Sequence, residues 1–242
     1  MTRLLNGIVA FGSALLLAVT LIGAGFAAVA IPDAATATLS RAFSGCDQPN
    51  TPFTADELAS MAIAGKHYTF DDNDREKLDA AIAEANAAAE ADGRATTSTR
   101  ENAARSLPAD AISHLDDVYR VASVAKPALV IVAMLCIAGL AHVAVRIGRR
   151  ALGRTLIAGG GLVLAAFCAL GAWAAIDFDG LFAAFHSLFF QAGTWTFPYD
   201  SLLITLYPTA FWMGMGGIWL AATCIASIIC IIVGRLLRSE TE

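Results

Sequence analysis

The stretch "AKPALVIVAMLCIAGLAHVAVRIGRRALGRTLIAGGGLVLAAFCALGAWAAI", residues 125–176, decides the fold class. It contains two long apolar runs, Pro127–Val145 and Thr155–Ile176, and neither run includes an Asp, Glu, Lys or Arg. An α-helix needs about 20 mostly apolar residues to cross the ~30 Å hydrocarbon core of a bilayer. Each run therefore predicts a transmembrane helix.

Two further runs of the same kind, Gly7–Ile31 and Thr209–Val233, raise the predicted number of transmembrane helices to four. The chain of 242 residues is 57% hydrophobic and 15% charged, which is unlike a soluble domain. The first run has 25 residues. Signal peptides have apolar regions of about 7–15 residues, so we expect a retained anchor rather than a cleaved leader. The sequence predicts an all-α membrane protein.

The positions of Arg and Lys predict how the chain is oriented. Short loops rich in these residues stay in the cytoplasm. Four arginines crowd residues 146–154, two more lie in the tail 234–242, and residues 177–208 contain no Lys or Arg. We therefore expect helices over 1–31, 124–145, 155–176 and 209–233, both termini in the cytoplasm, and residues 32–123 and 177–208 outside.

The outer segment 32–123 is predicted to form a small helical extracytoplasmic cap. Thr54 and Glu57 have the spacing of a capping box, which indicates a helix start. Residues 74–93 and 107–123 show apolar residues at helical spacing, and Gly93 suits a helix end. The segment carries 16 acidic and 8 basic residues. This negative charge argues against a nucleic-acid partner.

The second outer segment begins with "FDGLFAAFHSLFF", residues 178–190, which predicts a helix lying in the membrane interface. Trp195 belongs to an aromatic belt after this helix, and Asp200 is placed to cap the helix that follows.

Recognisable signatures of other enzyme classes are missing. The sequence has no G-x-S-x-G, H-E-x-x-H or C-x-x-C, and no phosphate-binding glycine loop. Only Cys46 lies outside the four apolar runs, so no disulfide framework is expected. We expect neither a metal nor a cofactor.

The four histidines are the remaining candidates for chemistry. His142 lies near the cytoplasmic end of the second run, where a hydrogen-bonding role is expected, and the spacing of His67 and Asp72 is attributed to chance. His114 shares a helix face with Asp117 at i+3, which could hold one imidazole nitrogen. His186 lies on a Phe stripe. An unpaired imidazole there is costly, so it needs either a structural partner or a function.

Two motifs resemble a known family. "HLDDV" at 114–118 and "FHSLFFQAGTWTFPYDSLLITLYP" at 185–208 are similar to sequences of the lipoprotein intramolecular transacylases, the Lit family of bacterial integral membrane proteins. The resemblance extends to the four-helix layout with a helical outer region between the first two helices. The stretch from Asp71 to Ser106 departs from the family pattern.

The resemblance implies an activity, a location and a site. It implies transfer of an acyl chain within a diacylglyceryl lipoprotein, from the glyceryl ester to the α-amino group of the N-terminal Cys, which gives a lyso-form lipoprotein. It implies two catalytic histidines, His114 and His186, in the bacterial cytoplasmic membrane among membrane lipids. Asp117, Trp195 and Asp200 are the expected supporting residues.

Two alternatives stay open on the sequence. In one, the chain is a non-enzymatic membrane protein with an assembly or envelope-sensing role, and both histidines are structural. In the other, it is a lipase-like hydrolase that uses water in place of the amine.

The orientation can be tested with reporter fusions. We expect a fusion after residue 151 to report a cytoplasmic location and a fusion at Gly93 to report an outside location, because of the arginine distribution. A cytoplasmic signal at Gly93 would contradict the predicted position of the site.

Overall fold

The computed structural model describes residues 2–95 and 104–239, and within these residues it contains helices and no strand. The helices are α1 (Thr2–Ala30), α2 (Asp33–Phe43), α3 (Ala55–Phe70), α4 (Arg75–Ala91), α5 (Ala109–His142), α6 (Arg149–Ile176), α7 (Phe178–Ser187), α8 (Leu202–Leu206) and α9 (Thr209–Ser239), with a π-helical turn at Val143–Ile147. The prediction of an all-α fold is confirmed.

Within the described residues, four helices are long and apolar enough to cross a membrane. They are Arg3–Ala30, Ala109–Ile147, Arg149–Ile176 and Thr209–Ser239. Residues 2–29, 125–177 and 217–239, which include most of the residues of these helices, form one compact unit. The four apolar runs identified in the sequence lie in these four helices.

Close approach of α6 and α9 depends on two glycines in this unit. A Cβ atom on Gly153 would lie 2.5 Å from the carbonyl oxygen of Gly234, and one on Gly234 would lie 2.6 Å from the carbonyl oxygen of Gly153. Such contacts exclude any larger residue at either position without a backbone shift. Small residues that let two backbones approach closely are typical of helix packing in membranes.

The second compact unit consists of 30–124 and 178–216, without the undescribed residues 96–103. Its core joins apolar side chains from α3, α4, the start of α5 and α8, among them Met61, Leu78, Ala111 and Leu206. The sequence elements that predicted its helices are present. Thr54 caps α3 in a full capping box, and Gly93, with φ +68°, follows the end of α4.

Three features of the second unit differ from the sequence-based interpretation. Helix α2 was not predicted. Helix α5 runs without a break through the expected boundary at 123 and 124, and it contains Pro127. The N-cap of α8 is Ser201, whose hydroxyl accepts a hydrogen bond from the Ile204 backbone N–H at 3.4 Å. The prediction that Asp200 is this cap was therefore wrong, by one residue.

Candidate active site

Two buried imidazoles meet in the second unit. His114 lies in the second turn of α5, and His186 lies in the last turn of α7. Their relative exposures are 8% and 9%. The ring centroids are 6.2 Å apart, with 28° between the planes. A pair of histidines far apart in sequence is thereby brought to one place.

Aromatic rings enclose this pair. Phe190 and Phe197 lie 4.9 Å and 5.5 Å from the His114 ring, measured between centroids. Phe182 and Trp195 lie 4.0 Å and 4.8 Å from the His186 ring. Such an enclosure keeps water from the imidazoles and strengthens electrostatic interactions within it.

One hydrogen bond determines the tautomer of His186. Its Nδ1 lies 2.8 Å from the backbone carbonyl oxygen of Phe182, one turn earlier in α7. A carbonyl oxygen only accepts hydrogen bonds, so Nδ1 carries the proton and donates it. In the neutral ring Nε2 then has a free lone pair. His186 is therefore held in the tautomer that can act as a base through Nε2.

Burial makes the charged form of His186 less favourable. Desolvation lowers the pKa of His186 from its ordinary value of 6.5, and the hydrogen bond to the Phe182 carbonyl opposes this effect in part. The neutral ring is therefore the form present at pH 7.

Two polar atoms around His186 are buried without a hydrogen-bond partner among the described residues, namely His114 Nδ1 and Trp195 Nε1. An unsatisfied buried polar atom costs about 1–3 kcal/mol. A buried Trp N–H usually finds a partner. Trp195 Nε1 is therefore available as a donor to a bound carbonyl or oxyanion oxygen, and His114 Nδ1 is available as a second donor in the tautomer that carries its hydrogen on Nδ1.

Asp117 does not hold His114 as the sequence suggested. Its Oδ1 accepts a hydrogen bond from the Arg120 guanidinium at 3.0 Å, and His114 Nδ1 has no hydrogen-bond partner in the described part of the chain. On α5, His114 precedes Asp117 by three residues and Arg120 follows it by three, and Asp117 pairs with the charged Arg120. Asp200 is exposed and does not cap α8.

The other two histidines lie outside this constellation. His67 Nε2 is 2.9 Å from an Asp33 carboxylate oxygen, whereas Asp72 forms an ion pair with Lys77. His67 and Asp72 are therefore not a pair. His142 is exposed in the last turn of α5.

Hydrogen bonds to Asp116 hold α5 in place, and they were not predicted from the sequence. The Tyr68 hydroxyl donates a hydrogen bond to Asp116 in the turn that carries His114, and the Asn73 amide also donates to Asp116, at 3.4 Å. Burial and the neighbouring carboxylate raise the pKa of Tyr68 to about 12, so the hydroxyl keeps its proton. No local spacing links residues 48 positions apart, so this contact could not be predicted from a sequence pattern.

No group of three His, Cys, Asp or Glu side chains within the described ranges is arranged to hold a metal ion.

A family model settles the class of the protein. The model of the family described as "Lipoprotein intramolecular transacylase Lit" matches residues 92–212, which is half of the chain. The chain belongs to the Lit family. It is therefore a multi-pass membrane enzyme of the transacylase class, and the non-enzymatic alternative is not supported. Both His114 and His186 lie within the matched region.

Solved structures show the same fold. The membrane-integral Lit from Bacillus cereus superposes with a TM-score of 0.72 at 18% identity, covering 98% of this chain and 97% of that one. Variants of that protein with arginine or alanine in place of a histidine each give a TM-score of 0.67 at 17% identity. These cover 99% of this chain and 95% or 96% of theirs. No curated protein sequence matches the chain.

The protonation state of His186 in this Lit family member can be measured directly. We expect ¹⁵N NMR of the histidine-labelled protein to show a mainly neutral ring at pH 7, with its hydrogen on Nδ1. The midpoint of its titration should lie below pH 6.5, because burial lowers the pKa. The variant His186→Gln identifies the signal. A neutral ring with its hydrogen on Nε2 would contradict the hydrogen bond to the Phe182 carbonyl, and a titration midpoint above pH 6.5 would contradict the burial of the ring.

Proposed function

We propose that this protein moves an acyl chain within a diacylglyceryl lipoprotein, from the glyceryl ester to the α-amino group of the N-terminal Cys, with His114 and His186 as the catalytic residues. The observation that carries the proposal is the buried imidazole pair, 6.2 Å between centroids, with His186 Nε2 free to accept a proton. The product is a lyso-form lipoprotein with an N-acylated Cys.

His186 is the general base in this proposal. Its Nε2 accepts a proton from the amine as the amine nitrogen attacks the ester carbonyl carbon. Proton transfer by a positioned side chain contributes typically ~10²–10⁴ in rate. The neutral tautomer fixed by the Phe182 carbonyl is the form that this step requires.

The tetrahedral intermediate needs hydrogen-bond donors for its oxyanion. Trp195 Nε1 carries a hydrogen and has no partner within the described structure, and His114 Nδ1 is equally unpartnered. We assign the oxyanion to these two groups. A single donor of this kind can be worth about 10²–10³ in kcat.

Collapse of the intermediate completes the reaction. The C–N bond stays, the bond from the acyl carbon to the glyceryl oxygen breaks, and the proton held by His186 goes to that oxygen. No covalent acyl-enzyme and no activated donor are needed, because an ester becomes a more stable amide. Holding amine and ester together can supply roughly 7–11 kcal/mol of the barrier.

The site is proposed to face the outside of the cytoplasmic membrane, with both termini in the cytoplasm. The arginine distribution supports this orientation. The exposed apolar residues Phe185, Leu188 and Phe189, next to His186, support contact with lipid acyl chains. An ester carbonyl at the level of the lipid headgroups would be within reach of such a site.

Replacement of either histidine tests the proposal. We expect His114→Ala and His186→Ala each to abolish lyso-form lipoprotein, measured by mass spectrometry of a lipoprotein N-terminus, while the membrane level of the protein stays near normal. His142→Ala, Ser187→Ala and Cys46→Ala are matched controls that should retain product. Wild-type product in both histidine variants would reject the proposed site, and loss with Cys46→Ala would point to a covalent acyl relay. A free fatty acid as the product would favour the hydrolase.

The indole N–H of Trp195 can be removed while its ring contact with His186 is largely kept. We expect Trp195→Phe to lower kcat by about 10²-fold, as for loss of one oxyanion donor, with little change in KM. Trp212→Phe is the control, because Trp212 is partly exposed and contacts Phe182 rather than either histidine. A wild-type kcat in Trp195→Phe would remove Trp195 from the oxyanion site.

A further inference from the structure

A cavity of about 400 Å³ adjoins the histidine pair in the second unit. Its polar lining includes Asp117, Arg120 and Gln191, and its apolar lining includes Val121, Phe189 and Phe190. Thr194 is the fourth polar residue of the lining, and the proposed catalytic steps use none of these four side chains. The cavity is thus a mixed surface, with one carboxylate, one guanidinium and one amide beside aromatic rings.

The cavity and the catalytic pair share a wall. Phe190 lines the cavity, and its ring lies 4.9 Å from the ring of His114. Asp117 follows His114 by three residues on α5, which is about one turn and a rise of ~4.5 Å along the helix axis. A group bound at Asp117 therefore lies about one helix turn from the residue that carries the first imidazole, on the other side of the Phe190 ring.

The charged groups of the cavity remain accessible to a ligand. Asp117 and Arg120 form an ion pair at 3.0 Å, and their side chains are 36% and 77% exposed. An exposed ion pair of this kind contributes little to stability, so exchange of a partner costs little. A ligand with one cationic group and one carbonyl acceptor would complement both side chains at once.

The structure points to an occupant with this chemistry, and this inference rests on the proposed function. We propose that the cavity binds the N-terminal Cys residue of the lipoprotein, with Asp117 accepting hydrogen bonds from its α-ammonium group. Arg120 and Gln191 donate to the carbonyl oxygens of the first peptide bonds. Phe189 and Phe190 contact the thioether and the glyceryl carbons.

This binding mode makes Asp117 a specificity-determining residue. The α-amino group of the substrate carries a positive charge before its proton is removed, whereas the N-acylated Cys of the product is a neutral amide. Asp117 therefore favours the substrate over the product, which promotes release of the lyso-form. It also disfavours lipoproteins that are already N-acylated.

Binding and catalysis can be measured separately with the purified full-length protein in detergent micelles. The probes are a synthetic S-diacylglyceryl-cysteinyl peptide with a free α-amine and its N-acetylated form. Binding of both is measured on the background of His186→Ala, and kinetics on the background of the active protein. We expect the His186→Ala protein without further changes, the parent in these measurements, to bind the free-amine peptide at least about tenfold more tightly than the N-acetylated peptide. This factor corresponds to the strength of a hydrogen bond to a charged group.

Asp117→Asn should abolish this preference and raise KM about tenfold with a small change in kcat. Arg120→Gln should weaken binding of both peptides equally. Asp79→Asn, which breaks the exposed Arg75–Asp79 pair on α4, is the matched control and should behave as the parent. A parental preference in Asp117→Asn, or an equal loss for both peptides, would overturn the assignment of the α-ammonium to Asp117.

The outcomes also separate this inference from the proposed function. If His114→Ala and His186→Ala lose product while Asp117→Asn keeps its preference, the catalytic proposal holds and the cavity assignment fails. If both histidine variants keep product, the catalytic proposal itself fails.

Discussion

The site depends on the exclusion of water from two neighbouring imidazoles. Neither ring can take up a proton easily in such surroundings, because the charged form of each loses its hydration, and for His114 the neighbouring His186 adds to this effect. The neutral state that results is the one a general base must start from. Water is excluded by the side chains of Phe182, Phe190, Phe197 and Trp195. The backbone carbonyl of Phe182 fixes the tautomer of His186 that carries its hydrogen on Nδ1. The aromatic run in the sequence thus serves the chemistry as well as the membrane.

The two rings are held in place by different parts of the chain. His186 is fixed locally, by a carbonyl one turn earlier in its own helix. His114 is fixed through α5, which is anchored by the Tyr68–Asp116 hydrogen bond and by burial of Ala111 and Leu115 in the core. A high pKa keeps Tyr68 a donor over the whole physiological range. The long segment between the first two transmembrane helices therefore contributes to the site by supporting α5.

Much of the fold could be predicted because its determinants are local. Apolar runs of membrane length and the Thr54–Glu57 capping box are readable from short windows. Helix α2 was not predicted although "DAATATLSRAF" contains four Ala, one Leu and one Arg, which are strong helix formers. Its buried side consists of Thr36, Leu39 and Ser40, and with two polar residues among these three it shows no apolar stripe at helical spacing. The histidine pair came from a resemblance to a family, since nothing in the spacing of residues 114 and 186 indicates that they meet.

The partner of Asp117 could not be predicted from the spacing of residues on α5. His114 at i−3 and Arg120 at i+3 share its helix face equally, so periodicity alone favours neither. Burial decides between them: a carboxylate prefers an exposed cationic partner to a buried neutral ring that gains little from it. This choice leaves His114 Nδ1 without a hydrogen-bond partner among the described residues and places the Asp117–Arg120 ion pair about one turn away, at the cavity. An amine would then be held as a cation at Asp117, would lose one proton to solvent at the exposed cavity, and would react at His186 as the neutral amine, so that binding and reaction take place at different side chains.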